Sequence, residues 1–259
     1  MSAGADCLVF DIETVPDAEL GRRLGFEGDD HEVGARMLAA REAETGSSFL
    51  PLEQHRIVAI STLLRSSDQL QAWSLGAVDG TEDDLIRRFF GGLEKIRPTL
   101  VSWNGSGFDL PVLHYRMLRH GIAAPTYWDQ GERDRDFKWN NYLNRYHLRH
   151  LDLMDVLSAY QARGRASLEH ISLLLGLPGK LGMGGDQVFD YWKAGRLAEI
   201  RAYCETDVLN TYLVWLRFQL IRGHLSAAGH GAELARVGEW LAERAEPHWR
   251  QYDAAWNRA

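Results

Sequence analysis

The sequence predicts an α/β fold with a mixed central sheet flanked by helices, and three observations carry that expectation. Three β-rich segments lead the chain, and helical periodicity then alternates with short apolar strands. The composition, 45% hydrophobic and 25% charged over 259 residues, is that of an ordinary globular protein.

Taken in order, Cys7 to Thr14 reads as a strand that Val15-Pro16-Asp17 brings to a stop. Residues 17–54 are polar and glycine-containing, partly helical from Val33 to Glu44, and form an excursion from the core. His55 to Leu64 and Leu70 to Leu75 complete a meander of three antiparallel strands, with Ser66-Ser67-Asp68 as the turn. Thr81 and the acids after it open a helix that Pro98 ends. Thr99 to Trp103 is a short apolar strand, and Asp109 to Arg119 a helix closed by Gly121. Residues 122–150 are irregular, aromatic and basic, and Leu151 to Leu157 fits a strand or a helix start. Ser167 to Leu175, Asp186 to Ala194 and Arg196 to Ile221 are helical, and Ala232 to Trp256 reads as one amphipathic helix.

The net charge of −7 argues against a protein that coats duplex nucleic acid, which usually needs a basic face. It leaves room for an enzyme that grips a few nucleotides. Cys7 and Cys204 lie too far apart in sequence for a zinc or disulfide framework, so a reducing cytoplasm fits. No run approaches the roughly 20 apolar residues of a membrane span, and the opening residues resemble no signal peptide.

Chemistry enters at Phe10-Asp11-Ile12-Glu13-Thr14. Residues two apart on a strand share a face, so Asp11 and Glu13 project together while Phe10 and Ile12 turn to the apolar side. Two adjacent carboxylates raise each other's pKa unless a cation intervenes, and hard magnesium or manganese ions are the natural occupants. A second signal is Asn104-Gly-Ser-Gly-Phe108-Asp109, a glycine-rich bend leading into a helix. Asp109 there suits either a helix cap or a ligand, and the glycines suggest a close approach to backbone. Asn104 could hydrogen-bond and Phe108 could stack on a nucleotide. The third is Tyr203-Cys-Glu-Thr-Asp207, with Tyr203 and Asp207 four apart on one helix face.

In this order the three motifs resemble the DEDD superfamily of 3′–5′ exonucleases, in the subgroup whose third motif is Tyr-x-x-x-Asp. The match is similar to stand-alone exonucleases related to the proofreading domain of family-B DNA polymerases. The sister subgroup carries histidine five residues before the last aspartate, where this chain has Ala202.

The resemblance covers about residues 7–222. It implies a ribonuclease H-like fold and a single exonuclease domain over 1–259, with 223–259 as a helical extension. With fewer than 40 residues after the helix ending near 222, no polymerase domain is expected to follow. The resemblance also implies two Mg²⁺ or Mn²⁺ ions held by Asp11, Glu13, Asp109 and Asp207, with Asp11 bridging. Glu13 and Asp207 would take the nucleophile-side ion and Asp109 the other, while Tyr203 orients the attacking water. The implied substrate is the 3′ end of single-stranded DNA or RNA, released as nucleoside 5′-monophosphates.

Two features suit such a strand. Arg133, Arg135, Lys138, Arg145, Arg149 and His150 are interleaved with Trp128, Phe137, Trp139, Tyr142 and Tyr146. Lys180, in the glycine-rich loop 179–185, could reach a phosphate. Two other readings compete. A haloacid-dehalogenase-like phosphatase has a similar strand-end motif, but Glu13 stands where it carries Asp and the two later motifs find no use. A non-catalytic nucleic-acid-binding module would keep the fold but usually lose a carboxylate.

Overall fold

The computed structural model describes residues 6–67 and 69–256. Within them, β1 (Cys7–Pro16), β2 (His55–Arg65), β3 (Leu70–Ser74), β4 (Thr99–Ser102) and β5 (His150–Asp152) form one sheet of order β3-β2-β1-β4-β5. The meander β1-β2-β3 is antiparallel, while β4 and β5 run parallel to β1. This is the mixed sheet expected of a ribonuclease H-like α/β fold. It puts β1 in the middle, and among the described residues that strand pairs beyond Val9 with β2 alone.

Side-chain alternation along β1 builds both layers. Leu8, Phe10 and Ile12 join Phe89, Phe90 and Leu93 of α3 (Glu82–Ile96) and Leu110, Leu113 and Met117 of α4 (Asp109–His120). Cys7 and Val9 face the other way, against Val208, Leu209 and Tyr212 of the long helix α9 (Leu197–Ile221). Each large apolar side chain buried in these layers contributes roughly 1.5–3 kcal/mol. The odd-numbered face of β1 turns from apolar to acidic at Asp11, and this change places the site over α9.

The excursion forms two helices, α1 (Ala18–Arg23) and α2 (Asp30–Thr45), closed over Leu50. Asp17 caps α1 and also pairs with the buried Arg116 of α4, whose guanidinium forks onto Glu82 of α3. Glu82 in turn accepts from Ile57 N–H of β2 at 2.7 Å. A lost partner here would strand a buried charge, so the network fixes the excursion to the body.

The remaining chain departs from the sequence reading in four places. β1 continues through Val15 and Pro16, because Pro16 pairs only as its last residue, opposite His55. Leu151 to Leu157 is both alternatives in succession, β5 and then α6 (Leu153–Leu157), with Asp152 as the cap between them. The region 122–150 holds two short helical turns, α5 (Pro125–Trp128) and a 3-10 turn at Arg135–Lys138.

Helices α7 (Leu168–Leu174) and α8 (Val188–Lys193) follow as expected. The C-terminal helix, in contrast, is two: α10 (Ala227–Ala242) and α11 (Pro247–Trp256). Pro247 lacks an N–H and can open a helix but not continue one, so the chain breaks there. Trp240 and Trp249 then meet edge to face at 4.9 Å, folding α11 back on α10 and α9. No helix among the described residues is long and apolar enough to cross a membrane.

Candidate active site

Asp11 and Glu13 emerge from the same face of β1, as alternation requires, and a bulge lies between Glu13 and Thr14, where pairing jumps from Ala59 to Ile57. Bulges recur beside active sites because they re-aim a side chain. Asp11, Glu13 and Cys204 of α9 bring their ligand atoms within 4.8 Å of one another. The Cys204 thiol lies 3.5 Å from Asp11 Oδ2 and from the Asp11 carbonyl. Burial pushes that thiol well up, so it stays protonated and donates to Asp11. In the sequence Cys204 reads only as an unpaired thiol. Its spacing of three from Asp207, which puts both on one helix face, was the available signal.

Asp109 is the first residue of α4, and it does not cap the helix. The cap position is Phe108, and no side chain caps there. Asp109 Oδ1 instead accepts the Ile12 N–H at 3.1 Å, tying α4 to β1. Burial pushes Asp109 up to about 7, against that hydrogen bond. Asp207, buried on α9, is pushed up to about 6 by burial, while Lys180 and the Tyr203 hydroxyl pull it down. Asp11 and Glu13 are raised well above the carboxylate range, first by burial and then by the charges of the other carboxylates. Residues from three distant segments therefore share one electrostatic environment.

Tyr203 is buried beside them, and burial together with Asp207, Glu13 and Asp11 pushes its hydroxyl far above its ordinary value. It is a neutral donor at any physiological pH. Lys180 offsets the negative charge at Asp11, Glu13 and Asp207, and its ammonium stands 5.7 Å from the Tyr203 ring centroid. Its loop is fastened from behind. Asn210 Nδ2 donates to the Gly179 carbonyl at 3.1 Å, and Tyr252 of α11 donates to Asn210 Oδ1 at 2.6 Å.

The bend at 104–108 is tighter than its glycines alone suggest. Asn104 adopts a left-handed φ of 64°, and its Oδ1 is buried without a hydrogen-bond partner among the described residues. A Cβ at Gly105 would lie 2.2 Å from Ser102 Oγ, and one at Gly107 would lie 2.5 Å from Asn104 Oδ1. The close approach is thus the protein's own. Asp152 holds the bend by accepting from Asn104 N–H at 3.0 Å and Ser106 N–H at 2.9 Å. Phe108 is half-buried against His55 and Phe49, with ring centroids 5.1 and 5.7 Å away.

The basic and aromatic stretch divides. Phe137 and Tyr142 are core residues on which the Arg149 guanidinium lies, and buried His150 bonds to Ser102 Oγ. Trp128, Trp139 and Tyr146 remain exposed. Arg145 pairs at 2.7 Å with buried Asp155, which also receives Arg165. A cavity of about 300 Å³ opens between this ion pair and Ser106, Gly107 and His114.

Residues 47–256 match a family described as predicted 3′–5′ exonucleases related to the exonuclease domain of PolB. Asp109, Tyr203 and Asp207 fall inside the match, and Asp11 and Glu13 precede it. No curated protein matches the sequence. Among solved structures, the chain is similar to the family B DNA polymerase from the hyperthermophilic archaeon Pyrobaculum calidifontis. The identity is 15% and the TM-score 0.48, over 97% of this chain and 27% of that one, so this chain spans about a quarter of the polymerase's length. With the match covering well over half of its residues, the chain belongs to the family of predicted 3′–5′ exonucleases related to the PolB exonuclease domain.

Proposed function

We propose that the chain hydrolyses phosphodiester bonds at the 3′ end of single-stranded DNA or RNA, releasing nucleoside 5′-monophosphates, with Asp11, Glu13, Asp109 and Asp207 holding two divalent ions. The carrying observation is the buried gathering of these carboxylates, offset by Lys180. Such excess buried negative charge is unfavourable on its own and is what a pair of hard cations neutralises. The donor set of carboxylate oxygens suits Mg²⁺ or Mn²⁺. When bound, such ions supply a water acidic enough to attack at neutral pH and relieve charge on the leaving oxygen.

The chain's own residues do the rest. Tyr203, kept protonated, orients the attacking water by hydrogen bond; its raised pKa makes it a poor base. Lys180 would take a non-bridging phosphate oxygen. As the water oxygen bonds to phosphorus, the P–O3′ bond breaks and a proton passes to the 3′ oxygen of the shortened strand. The released nucleotide keeps its phosphate on the 5′ carbon. Asn104, on the strained bend, and the half-buried Phe108 at its end would meet the terminal nucleotide.

We read the whole chain as one exonuclease unit, with α10 and α11 as a brace that reaches Lys180 through Tyr252 and Asn210. Two free, buried cysteines accord with a reducing cytoplasm. The test is product identity. A linear single strand should yield 5′-mononucleotides from its 3′ end, and a 3′-blocked strand should resist. Cuts in a circular single strand would overturn the exonuclease reading.

A further inference from the structure

Phe49 is the feature that neither the fold nor the proposed chemistry uses. It is 57% exposed, while its neighbour Leu50 is 3% exposed in the core of α1 and α2 with Ala18, Val33 and Met37. Its backbone is pinned on both sides. Arg41 Nε donates to the Phe49 carbonyl at 3.2 Å, and Phe49 N–H donates to Ser47 Oγ at 3.2 Å. A large ring held in water on a fixed backbone has lost the burial that would normally stabilise it.

Its position singles it out. The Phe49 ring lies 5.7 Å from Phe108 and 5.4 Å from His55, and those two meet edge to face at 5.1 Å. Phe108 directly precedes Asp109. His55 Nδ1 and Thr14 Oγ1 are 2.8 Å apart, and Thr14 directly follows Glu13. Both neighbours of Phe49 are therefore fastened next to a carboxylate of the cluster. The excursion 17–54, whose use is invisible in the sequence, thus sets this ring against two residues tied to the segments that carry Glu13 and Asp109.

We propose that Phe49, backed by Phe108 and His55, is a stacking platform for the base of the 3′-terminal nucleotide. The occupant follows from the chemistry: a flat, uncharged ring beside a metal-binding carboxylate cluster suits the π-face of any base. Recognition of this kind tolerates sequence, and losing one base–aromatic stack weakens binding by about tenfold or more. The proposal rests on the exonuclease reading for the identity of the strand.

The test compares wild type, Phe49→Ala and Phe49→Trp on 5′-labelled single strands ending in either an ordinary nucleotide or an abasic one. On the ordinary end, Phe49→Ala should raise KM about tenfold with kcat changed no more than about twofold, and Phe49→Trp should restore KM. On the abasic end, wild type and Phe49→Ala should behave alike. Fluorescence anisotropy of the same strands in EDTA, where nothing turns over, should show the same pattern in Kd. Equal KM and Kd for wild type and Phe49→Ala on the ordinary end would overturn the platform. So would a penalty of the same size on the abasic end. A wild type that binds with this Phe49 dependence but never cleaves in manganese would instead fail the exonuclease reading and leave the platform standing.

Discussion

Ile12 gives its backbone N–H to Asp109 Oδ1 at 3.1 Å, which fastens the first turn of α4 to the strand that carries Asp11 and Glu13. One oxygen of Asp109 thus serves the fold, while in the proposed reaction its carboxylate charge would serve the site. Asn at this position could keep the acceptor and remove only the charge, so the two roles can be separated.

Asp109→Asn should therefore raise the melting temperature of the metal-free protein at pH 8. The folded pKa near 7 exceeds the unfolded carboxylate value, so the folded state holds the proton more tightly between the two. Stability falls as pH rises through that window, and the cost is complete above about 7. Metal-free wild type should accordingly melt lower at pH 8 than at pH 5, with a smaller decline in the mutant. Thermal melts at the two pH values check this. A mutant melting clearly below wild type at pH 8 would make Asp109 a structural anchor alone.

Lys180→Met should move the acid limb of the activity profile to higher pH. Lys180 holds down the pKa values of Asp11, Glu13 and Asp207, so without it protons compete with metal ions further up the scale. The comparison is kcat/KM against pH for both proteins in manganese. An unshifted limb would remove Lys180 from the site.

Tyr203→Phe should lower kcat by about a hundredfold, the scale of one oriented donor lost from an active site. Its manganese-induced rise in melting temperature should match that of wild type, because no carboxylate is touched. Loss of the metal response as well would assign Tyr203 to the binding of the ions.

Tyr252→Phe removes the donor to Asn210 Oδ1, leaving a buried acceptor unpaired at a cost of about 1–3 kcal/mol. Because Asn210 also holds the Gly179 carbonyl, amide exchange over residues 179–184 should quicken in the mutant. Exchange that quickens only around α11 would uncouple the C-terminal helices from the Lys180 loop.

Much of this was legible in the sequence because the rules involved are local. Period-two alternation put Asp11 and Glu13 on one face and Phe10 and Ile12 on the other, and the structure agrees. Period-3.6 spacing did the same for Tyr203 and Asp207. Sequence reading failed where partners are distant. Nothing near Asp152 signals that it holds the 104–106 bend, nothing near Leu50 signals that it anchors an exposed Phe49, and Cys204 meets Asp11 only because α9 crosses β1. The break before Pro247 is a different failure, since a local rule was available and periodicity on either side masked it.

The central claim is that carboxylates from β1, α4 and α9 act together as one metal-dependent nuclease centre. Its most direct measurement is a time course on a 5′-labelled single strand in manganese, run with wild type, Asp11→Ala and Asp207→Ala. Wild type should give a ladder shortening one nucleotide at a time from the 3′ end, abolished by EDTA. Either mutant should show less than a few per cent of that rate, since each removes a ligand that no neighbour replaces. A ladder that persists in both mutants, or one that is indifferent to the metal, would contradict the central claim.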